Sequence, residues 1–310
     1  MIQYFKTIQN RLTEIETVEK DCWINVVNPT TREIDYLSNK LLIPSDLIND
    51  PLDVDENARI EQEKNCMLIV FRVPLELNKQ DLPYTTISMG IILKRDLIVT
   101  VCSKPIEVVQ AFVESRVRGL YTEKRERFVL QLFLRSSVLF LRYLKNINGK
   151  ADELQITLNR STRNEELMQL LNFEKSLVYF NTSLKSNELM MHRLQRMKIP
   201  ALDREEEQDL IEDVMTETKQ AIDMAHIYTD ILGNLMSAHS SIISNNLNIT
   251  IRFLTSVTII LSLPILVASL YGMNVPLPFQ DHPHAFWIVM CIATLLSVLG
   301  VAFFRKKNLF

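Results

Sequence analysis

Glycine is scarce in this chain, six among 310 residues, and none of the six builds a GxxxxGK[ST] phosphate loop or a nucleophile elbow. Metal-ligand spacing is missing too, so nothing in the sequence points to an enzyme or to an organic cofactor. The four cysteines, Cys22, Cys66, Cys102 and Cys291, stand far apart without a CxxC pair. That argues against a disulfide framework and a zinc site, and makes them small apolar residues expected to be buried. The formal net charge of -3 gives no lead to a partner, and acidic and basic residues mix along the central helices, which suits solvated faces rather than a nucleic-acid surface. The polar start, MIQYFKTIQNRLTEIE, has no apolar core of signal-peptide length, so most of the chain is expected to remain where it is made.

Two late stretches have no charge at all: FLTSVTIILSLPILVASLY, 253–271, and AFWIVMCIATLLSVLGVAFF, 285–304. Each is close to the ~20 residues that a helix needs to cross a bilayer core. Tyr271, Phe286 and Trp287 stand at their ends, as aromatic residues do at a membrane interface. Arg252 precedes the first stretch and Arg305, Lys306 and Lys307 follow the second, while 272–284 has no Lys or Arg. By the positive-inside rule both termini face the cytoplasm, and the intervening loop lies outside the plasma membrane.

Before about residue 105 the pattern is α/β. CWINVV (22–27), CMLIVFRV (66–73), TTISMGIIL (85–93) and LIVTVC (97–102) read as strands. Thr30 and Glu33 form a capping box in front of a helix. Between Pro105 and Pro200 there is no proline, so long helices are expected, with NINGK (146–150) as a turn dividing two of them and KIPALD (198–203) ending the second. From Leu202 to Leu263 only Gly233 interrupts a helical pattern that passes directly into the first membrane stretch. A single helix of about 70 residues would be ~105 Å long. Val214, Ala221, Tyr228, Leu235 and Ile242 recur by sevens, with Thr218, Ala225 and Leu232 four further on until His239 breaks that series. This is a packing seam, within one subunit or around an oligomer axis.

The period of seven recurs in a polar line, Asn248, Thr255, Ser262 and Ser269, with Thr258 on a nearby face, which drifts only ~20° per heptad. Such residues can bond their own helix or pack closely, but four in register suggest a wetted face, with Ile251 and Leu254 as an apolar constriction near Asn248. Two membrane helices cannot enclose a water path, so a pore requires a symmetric homo-oligomer.

The line ends at YGMN, 271–274, and SNNLN, 244–248, marks its inner end. With RKKNLF at the end and WINVVNPTTREI, ARIEQEKN and IYTDILGNLMSAHSSIISNNLN earlier, the chain resembles the CorA-type magnesium transporters over essentially its whole length. The resemblance implies a homopentamer with a funnel of α+β cytoplasmic domains, an α/β sandwich with long helices, 1–201, and a stalk, 202–250. A pore-lining helix, 251–271, an outer loop, 272–284, a second membrane helix, 285–304, and a basic tail, 305–310, follow. Gly272, Met273 and Asn274 then correspond to the selectivity filter and Asn248 to a polar ring at the inner mouth. Mg2+ is implied both as cargo and as a regulator held by carboxylates between subunits, for which Asp209, Glu212, Asp213, Glu61 and Glu63 are candidates. One departure stands out: the acidic continuation usual after GMN is replaced by VPLPFQDHPH, which offers Asp281, His282 and His284. Histidines there keep a Co2+, Ni2+ or Zn2+ transporter in view, and a membrane-anchored scaffold is the reading from another class.

Overall fold

A computed structural model describes residues 1–63, 65–77, 82–114, 117, 119–158, 164–197, 205–275, 277–278 and 282–307. The chain divides into two compact units, Met1–Leu235 and Met236–Phe310.

The first unit is built on a mixed sheet of seven strands in the order β2-β1-β3-β7-β6-β5-β4. The strands are β1 (Ile2–Ile8), β2 (Arg11–Ile15), β3 (Cys22–Val27), β4 (Arg59–Glu63), β5 (Cys66–Glu76), β6 (Tyr84–Lys94) and β7 (Leu97–Cys102). β3 and β7 pair in parallel and the other neighbours are antiparallel. All four strands expected from the sequence are present. β1, β2 and β4 are additions, each half-exposed and therefore without a continuous apolar run. The β1–β2 turn uses Gln9 and Asn10, both at positive φ, where a hairpin normally advertises itself with Asn-Gly.

Both faces of the sheet are buried, as alternation along the strands requires. Cys22, Ile24, Val26, Leu68, Val70, Val99 and Val101 meet Leu37 of α1 (Thr31–Lys40) and Leu47 and Ile48 of α2 (Ser45–Asn49). On the opposite side Trp23 stacks near Phe5, Phe112 of α3 (Glu107–Val113) and Phe128 of α4 (Arg125–Leu158), and Phe71 meets Phe133 edge-on. The capping box at α1 is formed: Glu33 accepts from the Thr30 N–H at 2.7 Å, which with the Met1 amino group holds its carboxyl below the usual range.

Arg72 of β5 is buried, and among the described residues no carboxylate is bonded to it. It donates to the carbonyls of Val54, Glu56 and Thr86, and its backbone exchanges two 2.8 Å hydrogen bonds with the Asn187 carboxamide of α5 (Asn164–Arg196). Desolvation lowers its pKa. On the paired strand Gly90, opposite Val70, has no room for a side chain, because a Cβ would stand 2.2 Å from Pro51.

The expected turn at 146–150 is not there: α4 runs unbroken through it. Leu144, Ile147 and Ala151 are buried at helical spacing, and that packing outweighs the ~1 kcal/mol a helix loses at glycine. Gly149 itself faces open space. KIPALD (198–203) falls outside the described residues except in sequence, but α5 ends at Arg196 and α6 (Glu205–Tyr271) begins beyond it. Cys22, Cys66 and Cys102 are buried, whereas Cys291, on α7 (Ala285–Lys306), is exposed. A helix surrounded by lipid has no reason to turn a small apolar residue inward.

Candidate ion path and outer lip

α6 is a single helix of 67 residues with Pro264 inside it. In the first unit its seam is a real packing line: Val214, Thr218, Ala221, Ala225 and Leu232 are buried. The Thr218 hydroxyl meets that of Ser137 of α4 at 2.8 Å, and Arg127 of α4 pairs with Glu206 and Glu207. In the second unit His239 is buried, while Ile242 is exposed. Asp209, Glu212 and Asp213 lie off this seam, all exposed. Asp213 and Glu217 line a cavity of about 550 Å³ together with Arg135. Glu61, paired with Arg59 at 3.4 Å, and Glu63 lie on β4. Within one chain these acids assemble no metal site: among the described residues no three His, Cys, Asp or Glu side chains group to hold an ion.

In the second unit α6 and α7 are each long and apolar enough to cross a membrane. They touch along one line of α6. Ser256 and Val267 are buried there, and Ile260 and Leu263 meet Gly300 of α7 so closely that a Cβ on Gly300 would lie 3.2 Å from the Leu263 Cδ1. At 100° per residue, Asn248, Thr255, Ser262 and Ser269 lie roughly 120° around the helix from that line. All four are exposed, as are Ile251, Leu254 and Thr258. From Ser240 to Thr255 no residue is buried.

Two hydroxyls on or near this face, those of Thr258 and Ser262, turn back to their own helix. Thr258 donates to the Leu254 carbonyl at 2.8 Å and Ser262 to that of Ile259 at 2.7 Å. Each proton is used inside the helix, so the outward side of each oxygen can only accept.

α6 ends at Tyr271. The Gly272 N–H reaches back to the carbonyls of Ala268 (2.9 Å) and Ser269 (3.2 Å), and the Met273 N–H to Leu270 (3.2 Å). The last turn thus tightens, and Gly272, Met273 and Asn274 leave the helix exposed. The Tyr271 hydroxyl donates to the Pro278 carbonyl at 3.2 Å; the sequence shows Tyr271 only as an interfacial aromatic, and no local signal marks this tether. Asp281 lies outside the described residues. His282 and His284 have ring centroids 5.8 Å apart, and His282 Nδ1 accepts the His284 backbone N–H at 3.2 Å. One of their four ring nitrogens is therefore already engaged in starting α7.

The CorA family, described as CorA-like Mg2+ transporter protein, matches residues 19–307. A cobalt/magnesium transport protein CorA of Methanocaldococcus jannaschii is 30% identical over 296 residues, 92% of this chain and 90% of that protein. The complete structure of the CorA magnesium transporter from the same organism superposes with a TM-score of 0.88 at 25% identity, covering 100% of this chain and 99% of that one. The full-length CmaX protein shares the fold at 16% identity, with a TM-score of 0.75 over 99% and 97% of the two chains.

Proposed function

This chain belongs to the CorA-like Mg2+ transporter family, and from that premise we propose that it is a membrane transporter of divalent cations whose main cargo is Mg2+. The observation that carries the reading is the uncharged, exposed line on α6 turned away from α7 and ending at Gly272–Asn274.

Magnesium gives up its water reluctantly, so a path that passes it quickly meets the hydrated ion. The outward hydrogens of that shell need acceptors, and they need them to be weak enough to release the ion. Carbonyls and Asn274 carboxamides of the GMN turn supply them at the outer end, the hydroxyl oxygens of Thr255, Thr258, Ser262 and Ser269 along the helix, and Asn248 at the inner end. Ile251 and Leu254 form a constriction that closes by dewetting. Five copies arranged around one axis complete the path, each contributing α6, with both termini in the cytoplasm and the plasma membrane as the site of action. An inside-negative potential supplies ~4.6 kcal/mol per 100 mV for a doubly charged ion moving inward.

Regulation by cytoplasmic Mg2+ follows from the same premise. Carboxylate oxygen is the donor such an ion prefers, and since one chain gathers no such group among its described residues, Asp209, Glu212 and Asp213 would act with Glu61 or Glu63 of a neighbouring copy. Substituting Asp213 and Glu63 by their amides should then weaken inhibition of flux by internal Mg2+. Unchanged inhibition would remove these positions from the reading. Co2+ is the second cargo to test, because the relative at 30% identity is named a cobalt/magnesium transport protein.

The deciding experiment is flux into proteoliposomes of the purified oligomer at a fixed potential, with Mg2+, Co2+, Ni2+ and Zn2+ compared. Potential-driven Mg2+ entry is expected; an intact oligomer that passes no divalent ion would refute the proposal and leave a membrane-anchored scaffold.

A further inference from the structure

Away from the ion path, one cavity of the first unit, about 260 Å³, is lined by two guanidiniums. It lies where three segments meet. The β4–β5 turn region brings Gln62 and Asn65, the β6–β7 turn brings Arg95, and the start of α4 brings Arg125 and Glu126. Arg125 donates through Nη1 to the Arg95 carbonyl, which ties the two cationic segments together.

The charges here are not balanced. Among the described residues no carboxylate pairs with Arg95, and the carboxylate lining the cavity, that of Glu126, stands 3.8 Å from Arg125, beyond hydrogen-bond reach. Two guanidiniums against one carboxylate leave the lining net positive, and a further anion between Arg95 and Arg125 would relieve their repulsion. Gln62 and Asn65 add carboxamides that can turn an NH2 toward an anion, beside the apolar Met67 and Leu93. The first turn of α4, 34 residues long and beginning at Arg125, adds the positive end of its dipole.

We propose that this cavity binds the phosphate group of a small molecule: inorganic phosphate, diphosphate or a compact phosphomonoester. Guanidinium forks match phosphate oxygens two at a time and hold them more tightly than a lone monocarboxylate at a distance. The volume sits just below the ~300 Å³ at which drug-sized pockets begin, which suits a small anion with its bound water rather than a large cofactor. On binding, the phosphate takes the forks of Arg95 and Arg125 and displaces Glu126 from its place beside Arg125. Neither the transport reading nor the oligomer is needed for this site.

The test is calorimetric titration of the full-length protein, free of Mg2+, with phosphate and with diphosphate at low salt. Saturable binding is expected, tighter for diphosphate. Arg95→Ala should weaken it about tenfold or more, equivalent to ~1.4 kcal/mol, with an unchanged melting temperature because Arg95 is exposed. Glu126→Gln, which removes the competing carboxylate, should tighten it. No saturable binding at millimolar phosphate overturns the proposal, and so does binding indifferent to Arg95→Ala or weakened by Glu126→Gln. The same titration in nanodiscs separates free phosphates from lipid headgroups. Equal affinity with zwitterionic and anionic lipid supports a site for free phosphates, whereas loss of binding in anionic discs overturns that in favour of a headgroup site.

Discussion

In the first unit some hydroxyl groups join separate elements, while others, such as those of Ser176 and Thr182, bond back to their own helix. Thr86 of β6 meets Ser183 of α5 at 2.7 Å, Ser137 of α4 meets Thr218 of α6, and Thr7 and Thr122 exchange bonds with each other's backbone N–H. In the second, Thr250, Ser256, Thr258, Ser262, Thr294 and Ser297 each turn back to a carbonyl of their own helix. Apolar side chains divide the same way. Trp23, Phe71, Phe112 and Phe128 are fully buried, while Leu254, Leu261, Phe286 and Trp287 are mostly exposed. The first unit buries an aromatic and aliphatic core of its own; the second satisfies its backbone within its helices and leaves most of its apolar surface outward, as a bilayer allows. Function, on the reading above, comes from the unit that is incomplete alone.

The largest test of that contrast is at the lip. Asn274→Ala should reduce Mg2+ flux in proteoliposomes by roughly a hundredfold, ~2.7 kcal/mol in barrier terms, with the oligomer unchanged in size-exclusion chromatography. Flux at the original level would break the link between the second unit and transport. Arg72→Met should act only through folding of the first unit. It strands the carbonyls of Val54, Glu56 and Thr86 and should cost about 2–3 kcal/mol, read as a lower denaturation midpoint. Gly300→Val probes the contact between α6 and α7, where the added atoms meet Leu263; overpacking of ~1–3 kcal/mol should lower the melting temperature in detergent. An unchanged midpoint would mean that the two helices do not pack at this point.

Smaller effects sharpen the comparison on the first unit. Thr30→Ala removes the α1 cap and should cost about 1 kcal/mol. Because the Glu33 carboxyl is held below its ordinary value in the folded chain, its contribution is present above the unfolded carboxylate range and is lost as pH falls through the lowered folded value. The difference between wild type and Thr30→Ala should therefore narrow in acid. Gly149→Ala should stabilise by about 0.5–1 kcal/mol, because the helix continues through it and nothing crowds the new methyl.

What could be read in advance follows the same division. The four core strands are apolar runs, the membrane helices are uncharged runs, and the capping box is local, so each is written in consecutive residues. β1, β2 and β4 are half-exposed, and Gln9 and Asn10 turn the hairpin without glycine. The unbroken α4 depends on what Ile147 and Ala151 pack against, which no window around Gly149 contains. The polar line of α6 was legible as a period of seven, but not which side of the helix it would take, since that depends on Gly300, some forty residues away. The Tyr271 tether and the arginine-lined cavity join segments distant in sequence and leave no local trace.

The spent protons of Thr258 and Ser262 carry one more consequence. Water around a cation shows its hydrogens to the surroundings, whereas water around an anion shows its oxygens. A wall that can accept but has no proton left to give welcomes the first shell and offers nothing to the second. Such a stretch of helix can distinguish magnesium from chloride without a single fixed charge, by the way each ion has turned its water.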